Sequence, residues 1–301
     1  MINNFKKIDL KRKYYIILYY KMKVEYKGED QMLLDLIAER TPATQKAYKG
    51  AYKKLKGLTE QDIGDTSQKK LIKLIEEQEN INTQQSLLNI AILIRKAQSY
   101  KVDILEKERE KNKKKLVKDV QEKNANLELP TLNDLYNYLD KLFEDSEYNK
   151  YVINYLLIEL NVRNADLVLD IVLTKKATKE DPDKNYIWLD MKKRRCYYIR
   201  KDYKTAKTYG NKEHVITDQD FYTAVKKVYY KQKKEGTKLI PNENQAGYYV
   251  QKATLDELGE GNYFKIIVNS VRGNLQALKK LSENRGTDVN TIMASYDIDL
   301  K

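Results

Sequence analysis

The stretch that decides the reading of this chain is Asn161-Val162-Arg163-Asn164-Ala165-Asp166-Leu167, which closes the apolar segment Tyr151-Val152-Ile153-Asn154-Tyr155-Leu156-Leu157-Ile158-Glu159-Leu160. The spacing predicts a helix over 151–160 with an arginine at its end. A second short helix is expected from Asp166, carrying Leu167, Val168, Leu169, Ile171 and Val172 inward. An arginine held between two packed segments is costly unless an anion neutralises it. Working outward, a Lys-Thr hairpin lies downstream at Tyr203–Lys212, and Tyr296 stands near the C-terminus. With a formal net charge of +13, the obvious anion is a nucleic-acid phosphate.

At 301 residues the chain is long enough for two domains, and 41% hydrophobic residues suffice for real cores. Lysine and arginine outnumber aspartate and glutamate by 57 to 44, which favours a polyanionic partner over a merely soluble basic surface. Cys196 is the only cysteine and His214 the only histidine, so neither an intrachain disulfide nor a cysteine- or histidine-based metal site is expected, and no cofactor is expected. No run of ~20 apolar residues marks a membrane span. The apolar run Tyr14–Tyr20 is short and flanked by Lys11, Arg12, Lys13 and Lys21, and reads as a strand or short helix that docks elsewhere. An intracellular protein that works with DNA, neither secreted nor membrane-bound, is the expectation.

The first half reads as helices. One holds Leu33, Leu34, Leu36 and Ile37. A second opens at Thr41-Pro42, repeats Thr44, Tyr48, Ala51, Tyr52 and Leu55, and ends near Gly57. A third carries Leu71, Ile72, Leu74 and Ile75 behind a cap at Asp65, Thr66 or Ser67. A fourth runs from Leu87 to about Tyr100. Residues 101–124 are dense in alternating charge and read as a solvated helix, with an arm along DNA as the alternative. Pro130 and a capping Thr131 place a boundary at Leu127–Thr131. The second half adds helices at 132–142 and 152–160, then strand-like runs at Tyr186–Leu189, Cys196–Ile199 and His214–Ile216. The expected organisation is an N-terminal extension (1–28), a helical domain with a charged linker helix (29–126) and an α+β domain (127–301). The fold class is mainly α with a small antiparallel β-sheet of three strands.

Candidate chemistry gathers in four places. Arg163 comes first; as a surface arginine at a helix C-terminus it would be bland, but the following apolar residues hold it in place. Lys204 and Lys207 are both hairpin cations able to donate to a phosphate oxygen or protonate a leaving alkoxide. Lys204 is preferred because it follows the strand ending at Arg200. Lys265 and Arg272 fall about two turns apart in the segment Tyr263–Ser282, hence near one face of an expected helix. Arg285-Gly286 follows. Tyr296 is either a packing residue beside Ile292 and Met293 or a phenolic nucleophile, which at an unperturbed pKa of ~10 needs clustered cations.

These elements, in this order, resemble the tyrosine recombinase, or lambda-type phage integrase, family. Thr41-Pro42-Ala43-Thr44-Gln45-Lys46-Ala47-Tyr48 resembles the opening helix of that family's SAM-like core-binding domain. Asn-Val-Arg-Asn-Ala-Asp-Leu resembles its first catalytic arginine, and Tyr203-Lys204-Thr205 its hairpin lysine. Asn269-x-x-Arg272 stands where the family carries His-x-x-Arg, and Leu281–Gly286 where it carries Leu-Gly-His, with Arg285 nearest the histidine's place. Aligning from the tyrosine instead selects Lys265 as the second cation. The resemblance implies an N-terminal SAM-like DNA-binding domain and a C-terminal α+β catalytic domain of a divergent member, from a virus or mobile element. Its catalytic residues would be Arg163, Lys204, Arg272, Arg285 and Tyr296. Thr44, Lys46, Lys49, Lys53, Lys207, Lys212 and Lys265 would contact DNA. It implies site-specific recombination or integration of double-stranded DNA through a 3′-phosphotyrosyl link, without metal or nucleotide, by a tetramer on paired sites. Rival readings are an inactive DNA-binding protein on the same fold, a type IB topoisomerase, and a helical scaffold for acidic proteins.

Overall fold

The computed structural model describes residues 28–296; the run Tyr14–Tyr20 lies outside them. It is mainly helical with one small sheet. Contacts group into two compact units, one reaching Asp119 and the other starting at Val120.

The first unit holds α1 (Glu29–Ile37), α2 (Pro42–Leu58), α3 (Gln68–Glu76), α4 (Ile81–Ala97) and most of α5 (Asp103–Ala125). Side-chain caps start three of them. Thr41 accepts from the Thr44 amide with Pro42 in the first turn, Ser67 accepts from Lys70, and Asn80 from Asn82 and Thr83. Apolar residues at helical spacing meet in one core around Leu55, Ile63, Leu71, Leu88, Ala91 and Ile94. Two buried charged side chains pin the α2–α3 loop against this core. The Glu29 carboxylate accepts from the amides of Ile63 (3.0 Å) and Gly64 (2.7 Å). Arg95 donates to the carbonyls of Gly64 (2.6 Å) and Thr66 (2.5 Å). The division between units falls inside α5; the segment Leu127–Thr131, where the sequence reading puts a boundary, follows that helix.

The second unit opens with α6 (Leu132–Glu144), begun by a capping box between Thr131 and Asp134, and α7 (Tyr148–Leu160). Asn161, left-handed at φ 52°, ends α7 and turns the chain into a single 3₁₀ turn, Asn164–Leu167. The expected second helix is therefore only that turn. Its apolar residues instead form the strand β1 (Leu169–Val172). A short apolar run is ambiguous in period, and the β-branched Ile171 and Val172 favour a strand here. The strands β2 (Asn185–Asp190), β3 (Arg195–Arg200) and β4 (Lys212–Ile216) follow, with a short helix α8 (Ala206–Tyr209) between the last two. The sheet order is β1-β2-β3-β4, with β1 parallel to β2 and the other pairs antiparallel. The three-stranded antiparallel sheet expected from sequence is thus a four-stranded mixed one.

Register decides which side chains face inward. Leu169, Ile171, Ile187, Leu189, Cys196, Tyr198 and Ile216 join the main core with α7 and α9 (Gln219–Glu235). Tyr186, Trp188, Tyr197 and Ile199 form a second cluster on the other face. The chain ends in α10 (Glu243–Ala253), α11 (Gly259–Ser270), α12 (Leu275–Arg285) and α13 (Val289–Tyr296). The single helix expected across Lys265 and Arg272 is broken: Gly273 turns at φ 83° and Asn274 caps α12. Among the described residues no helix is long and apolar enough to cross a membrane.

Candidate anion-binding site of the second unit

Arg163 sits at the start of the 3₁₀ turn, and its amide donates to Asp166 Oδ2 at 3.0 Å. Its guanidinium is half-buried, and among the described residues its buried Nη1 has no hydrogen-bond partner. Burial, and then the positive charge of Arg285, hold the Arg163 pKa below the ordinary arginine value; Asp166, Glu260 and Tyr296 pull the other way. Four groups from separate elements are thus within electrostatic reach of this one guanidinium.

The 3₁₀ turn places Asp166 inside the protein, 1% exposed. Its Oδ2 also accepts from Arg200 Nη1 at 2.9 Å, an ion pair closed to solvent on both sides. Arg200 donates further to the Asn284 carbonyl, and its guanidinium lies 4.5 Å from the Tyr203 ring centroid. One arginine therefore ties the Arg163 turn, the end of β3 and the end of α12 together. Its position follows from strand parity: Cys196, Tyr198 and Arg200 alternate on the core face, and Arg200 is fully buried.

Arg285 closes α12 and is 3% exposed. It donates to the Val162 carbonyl at 3.1 Å and forms an ion pair with Glu260 on α11, whose other oxygen accepts from the Asn164 amide at 3.2 Å. The guanidinium lies 4.2 Å from the Phe264 ring centroid and 5.7 Å from that of Tyr296. Tyr296 packs edge-on against Phe264 at 4.8 Å, and its carbonyl accepts from Asn269 at 3.3 Å. Arg163, Arg285 and Tyr296, distant in sequence, are thereby brought together.

Lys212 is the cation that β4 adds. In the β3–β4 register it stands directly opposite Arg200, on the same face. Its ammonium donates to the Glu283 carbonyl and lies 5.4 Å from the Tyr203 and Tyr209 ring centroids. Burial, with Arg200 and Arg163 adding repulsion, lowers its pKa to about 8. His214, two residues on, stacks on Tyr198 at 6.3 Å, and burial with the same sheet's Arg200 and Lys212 lowers its pKa to about 4. It is neutral at physiological pH.

The other residues singled out from sequence lie elsewhere. Lys204 and Lys207 are exposed on the β3–β4 connection. Arg272 is exposed in the turn after α11, and Lys265 is half-buried one helical turn before Asn269, with its pKa lowered by burial. In the first unit the Thr44 hydroxyl meets that of the capping Thr41 at 2.9 Å, and Lys46, Lys49 and Lys53 lie along α2. Sequence reading misses Arg200 and Glu260 and takes Lys212 only as a DNA contact. The signal for Arg200 is present, as a charged residue in phase with Cys196 and Tyr198.

Four cations, Arg163, Arg200, Lys212 and Arg285, thus outnumber three carboxylates, Asp166, Glu260 and, acting on Lys212, Glu283. The surplus is positive and partly desolvated, which suits an oxyanion such as a phosphate diester. Among the described residues no group of three or more histidine, cysteine, aspartate or glutamate side chains could hold a metal ion. Comparison with protein-family models, curated proteins and solved structures found no match.

Proposed function

We propose that this chain is a DNA strand transferase of the tyrosine-recombinase type, with a SAM-like helical bundle before a catalytic α+β unit. The observation that carries the reading is the buried, unpartnered Nη1 of Arg163 within electrostatic range of Arg285, Lys212 and Tyr296. In this reading Arg163 grips a non-bridging oxygen of the scissile phosphate, and Arg285 adds positive charge beside it. The Tyr296 phenol gives its proton to solvent, and the phenolate attacks phosphorus as the bond to the 5′-oxygen breaks. Lys212 donates its proton to that leaving oxygen, leaving a 5′-hydroxyl and a 3′-phosphotyrosyl ester. Attack by a 5′-hydroxyl of another strand reverses the step and frees the phenol. A lysine whose pKa lies near 8 suits the proton transfer, so Lys212 takes the role in preference to the exposed Lys204. Self-association on paired DNA sites is part of this reading, as is an origin in a virus or mobile element.

A second reading, DNA binding without cleavage, draws on the engagement of Arg285 with Glu260 and Val162 and on the exposure of Arg272. Incubation with a nicked suicide duplex separates the two. The proposal expects a covalent protein–DNA adduct that disappears in Tyr296→Phe and in Arg163→Ala, while Arg163→Ala still binds duplex. Salt-sensitive binding without adduct supports the second reading. Relaxation of supercoils without strand exchange indicates a topoisomerase, and no DNA binding at low salt leaves an acidic-protein scaffold.

A further inference from the structure

The far end of the same sheet carries a second cationic feature. The β2–β3 turn, Met191–Arg194, presents Lys192, Lys193 and Arg194, all exposed. Beside it, α9 places Tyr222, Lys226 and Tyr230 at four-residue spacing along one face, with Lys227 adjacent. Arg194, Tyr222, Lys226, Lys227 and Tyr230 line one groove of about 590 Å³. Its floor is Tyr222, 5% exposed, whose hydroxyl meets the Met191 sulfur at 3.3 Å. Its wall is Tyr230, a 52% exposed ring braced edge-on by Tyr229 at 5.4 Å. Among the described residues none of the cations in this turn and groove has a carboxylate within ion-pair distance. The nearest acid on the turn, Asp190, is taken up by the amides of Lys192 and Lys193, both at 3.1 Å.

Arg194 provides an independent pointer. It is left-handed, at φ 50°, where a hairpin normally carries glycine or asparagine. The turn is anchored there, since Gln219 donates to the Arg194 carbonyl at 3.1 Å. A bulky cation is thus held in a strained conformation at the mouth of a groove that contains two lysines and an exposed aromatic ring. Strain of this kind collects at binding sites. Six residue steps along β3 separate Arg194 from Arg200, about 20 Å at the usual rise per residue, so the groove cannot share a phosphate with the Arg163 cluster.

We infer that this groove binds single-stranded nucleic acid, with successive phosphates on Arg194, Lys226 and Lys227 and a base stacked on Tyr230. The interleaving of tyrosine and lysine on one helix face is the chemistry of strand tracking, where an aromatic ring takes any base and cations follow the backbone. Stacking on the exposed Tyr230 ring needs an unpaired base, which a single strand offers and a duplex does not. The inference stands apart from strand cleavage and needs no reaction.

The test is fluorescence anisotropy of the full-length protein with a labelled mixed-sequence 12-nucleotide single strand and, separately, the matching duplex. Arg194→Gly is the most telling variant, because glycine relieves the left-handed strain and should keep or raise the melting temperature. The inference expects it to weaken single-strand binding several-fold. Lys226→Gln with Lys227→Gln should weaken it by about ten-fold or more and lower the salt slope by about 1.4, at about 0.7 for each phosphate that is no longer neutralised. Tyr230→Ala should weaken it again with the slope unchanged. Duplex affinity and adduct formation on a suicide duplex should stay within two-fold of wild type. Unchanged single-strand affinity in these folded variants overturns the inference, as does a loss of equal size for duplex. Neither result bears on the Tyr296 chemistry, which the adduct assay reads by itself.

Discussion

Arg200 and Lys212 stand directly opposite each other at the end of the β3–β4 ladder, two cations where cross-strand partners of like charge are normally destabilising. Asp166 answers one of them, through the 2.9 Å contact to Arg200. Lys212 has a carbonyl and two aromatic rings instead. A surplus of positive charge is thus fixed by the sheet register itself rather than by flexible surface side chains.

Breaking the buried pair should cost much and be partly reversible. Arg200→Met leaves Asp166 charged and buried, so urea denaturation should show a loss of about 3–5 kcal/mol. The double variant Arg200→Met, Asp166→Leu should recover most of that stability. Adduct formation should stay lost in both, because the Arg163 turn is no longer tied to β3 and α12. Recovery of adduct along with stability would show that the pair matters for folding alone.

Lys212 should give stability and activity opposite pH dependences. Its folded pKa, about 8, lies below the ordinary 10.5, so between those values the unfolded chain binds the proton more readily. Stability should fall as pH is lowered from about 10.5 to about 8, and Lys212→Met should remove that slope. Adduct formation at subsaturating duplex should decline as pH rises above about 8, when the donor loses its proton. A wild-type profile flat from pH 7 to 10 would rule out Lys212 as the acid.

His214 sets an acid limit. Its folded pKa of about 4 lies below the ordinary 6.5, so stability should drop as pH falls through that window, where the unfolded chain takes up a proton that the folded chain refuses. Melting temperatures across pH 4–7 should flatten in His214→Gln relative to wild type.

Gly286 is needed where it stands. It caps α12 at φ 63°, and a Cβ there would lie 2.3 Å from Thr205 Oγ1, which itself donates to the Gly286 carbonyl at 2.9 Å. Gly286→Ala should cost about 1–2 kcal/mol from the left-handed backbone alone. That lowers the melting temperature by about 2–4 °C per kcal/mol in a unit of this size. Thr205→Ala should cost less in the Gly286→Ala background than in wild type, since the two atoms clash there.

Much of this architecture is legible in the sequence because helical spacing and caps are local. Thr41-Pro42, Ser67 and Thr131 mark helix starts that the structure contains. Leu169–Val172 misleads because four residues, three of them apolar, carry too few turns to declare a period. The break after Ser270 escapes a reading by charge spacing, which gives no weight to Gly273 and Asn274 as a stop and a cap. In the site, Arg163 can be named from sequence because it lies between two apolar segments, whereas Arg285 and Tyr296 are named through the resemblance. Proximity to the strand end selects Lys204 over Lys207, but both are exposed, and the half-buried lysine of this connection is Lys212. The deciding property is parity: Lys212 pairs with Arg200 across the ladder and so shares its inward face. Glu260 is hidden from sequence, as its role rests on contacts to Arg285 and Asn164, both well removed along the chain.

In the proposed reaction a phosphate held by the Arg163 cluster is attacked by one particular phenol among the chain's 25 tyrosines. Trapping the wild-type protein on a nicked suicide duplex, digesting both partners and sequencing the nucleotide-bearing peptide by mass spectrometry reads that directly. The proposed reaction leaves a nucleotide esterified to Tyr296, and none when Arg163 is alanine. A modified peptide centred on another tyrosine, or no modified peptide from a preparation that binds the duplex, contradicts it.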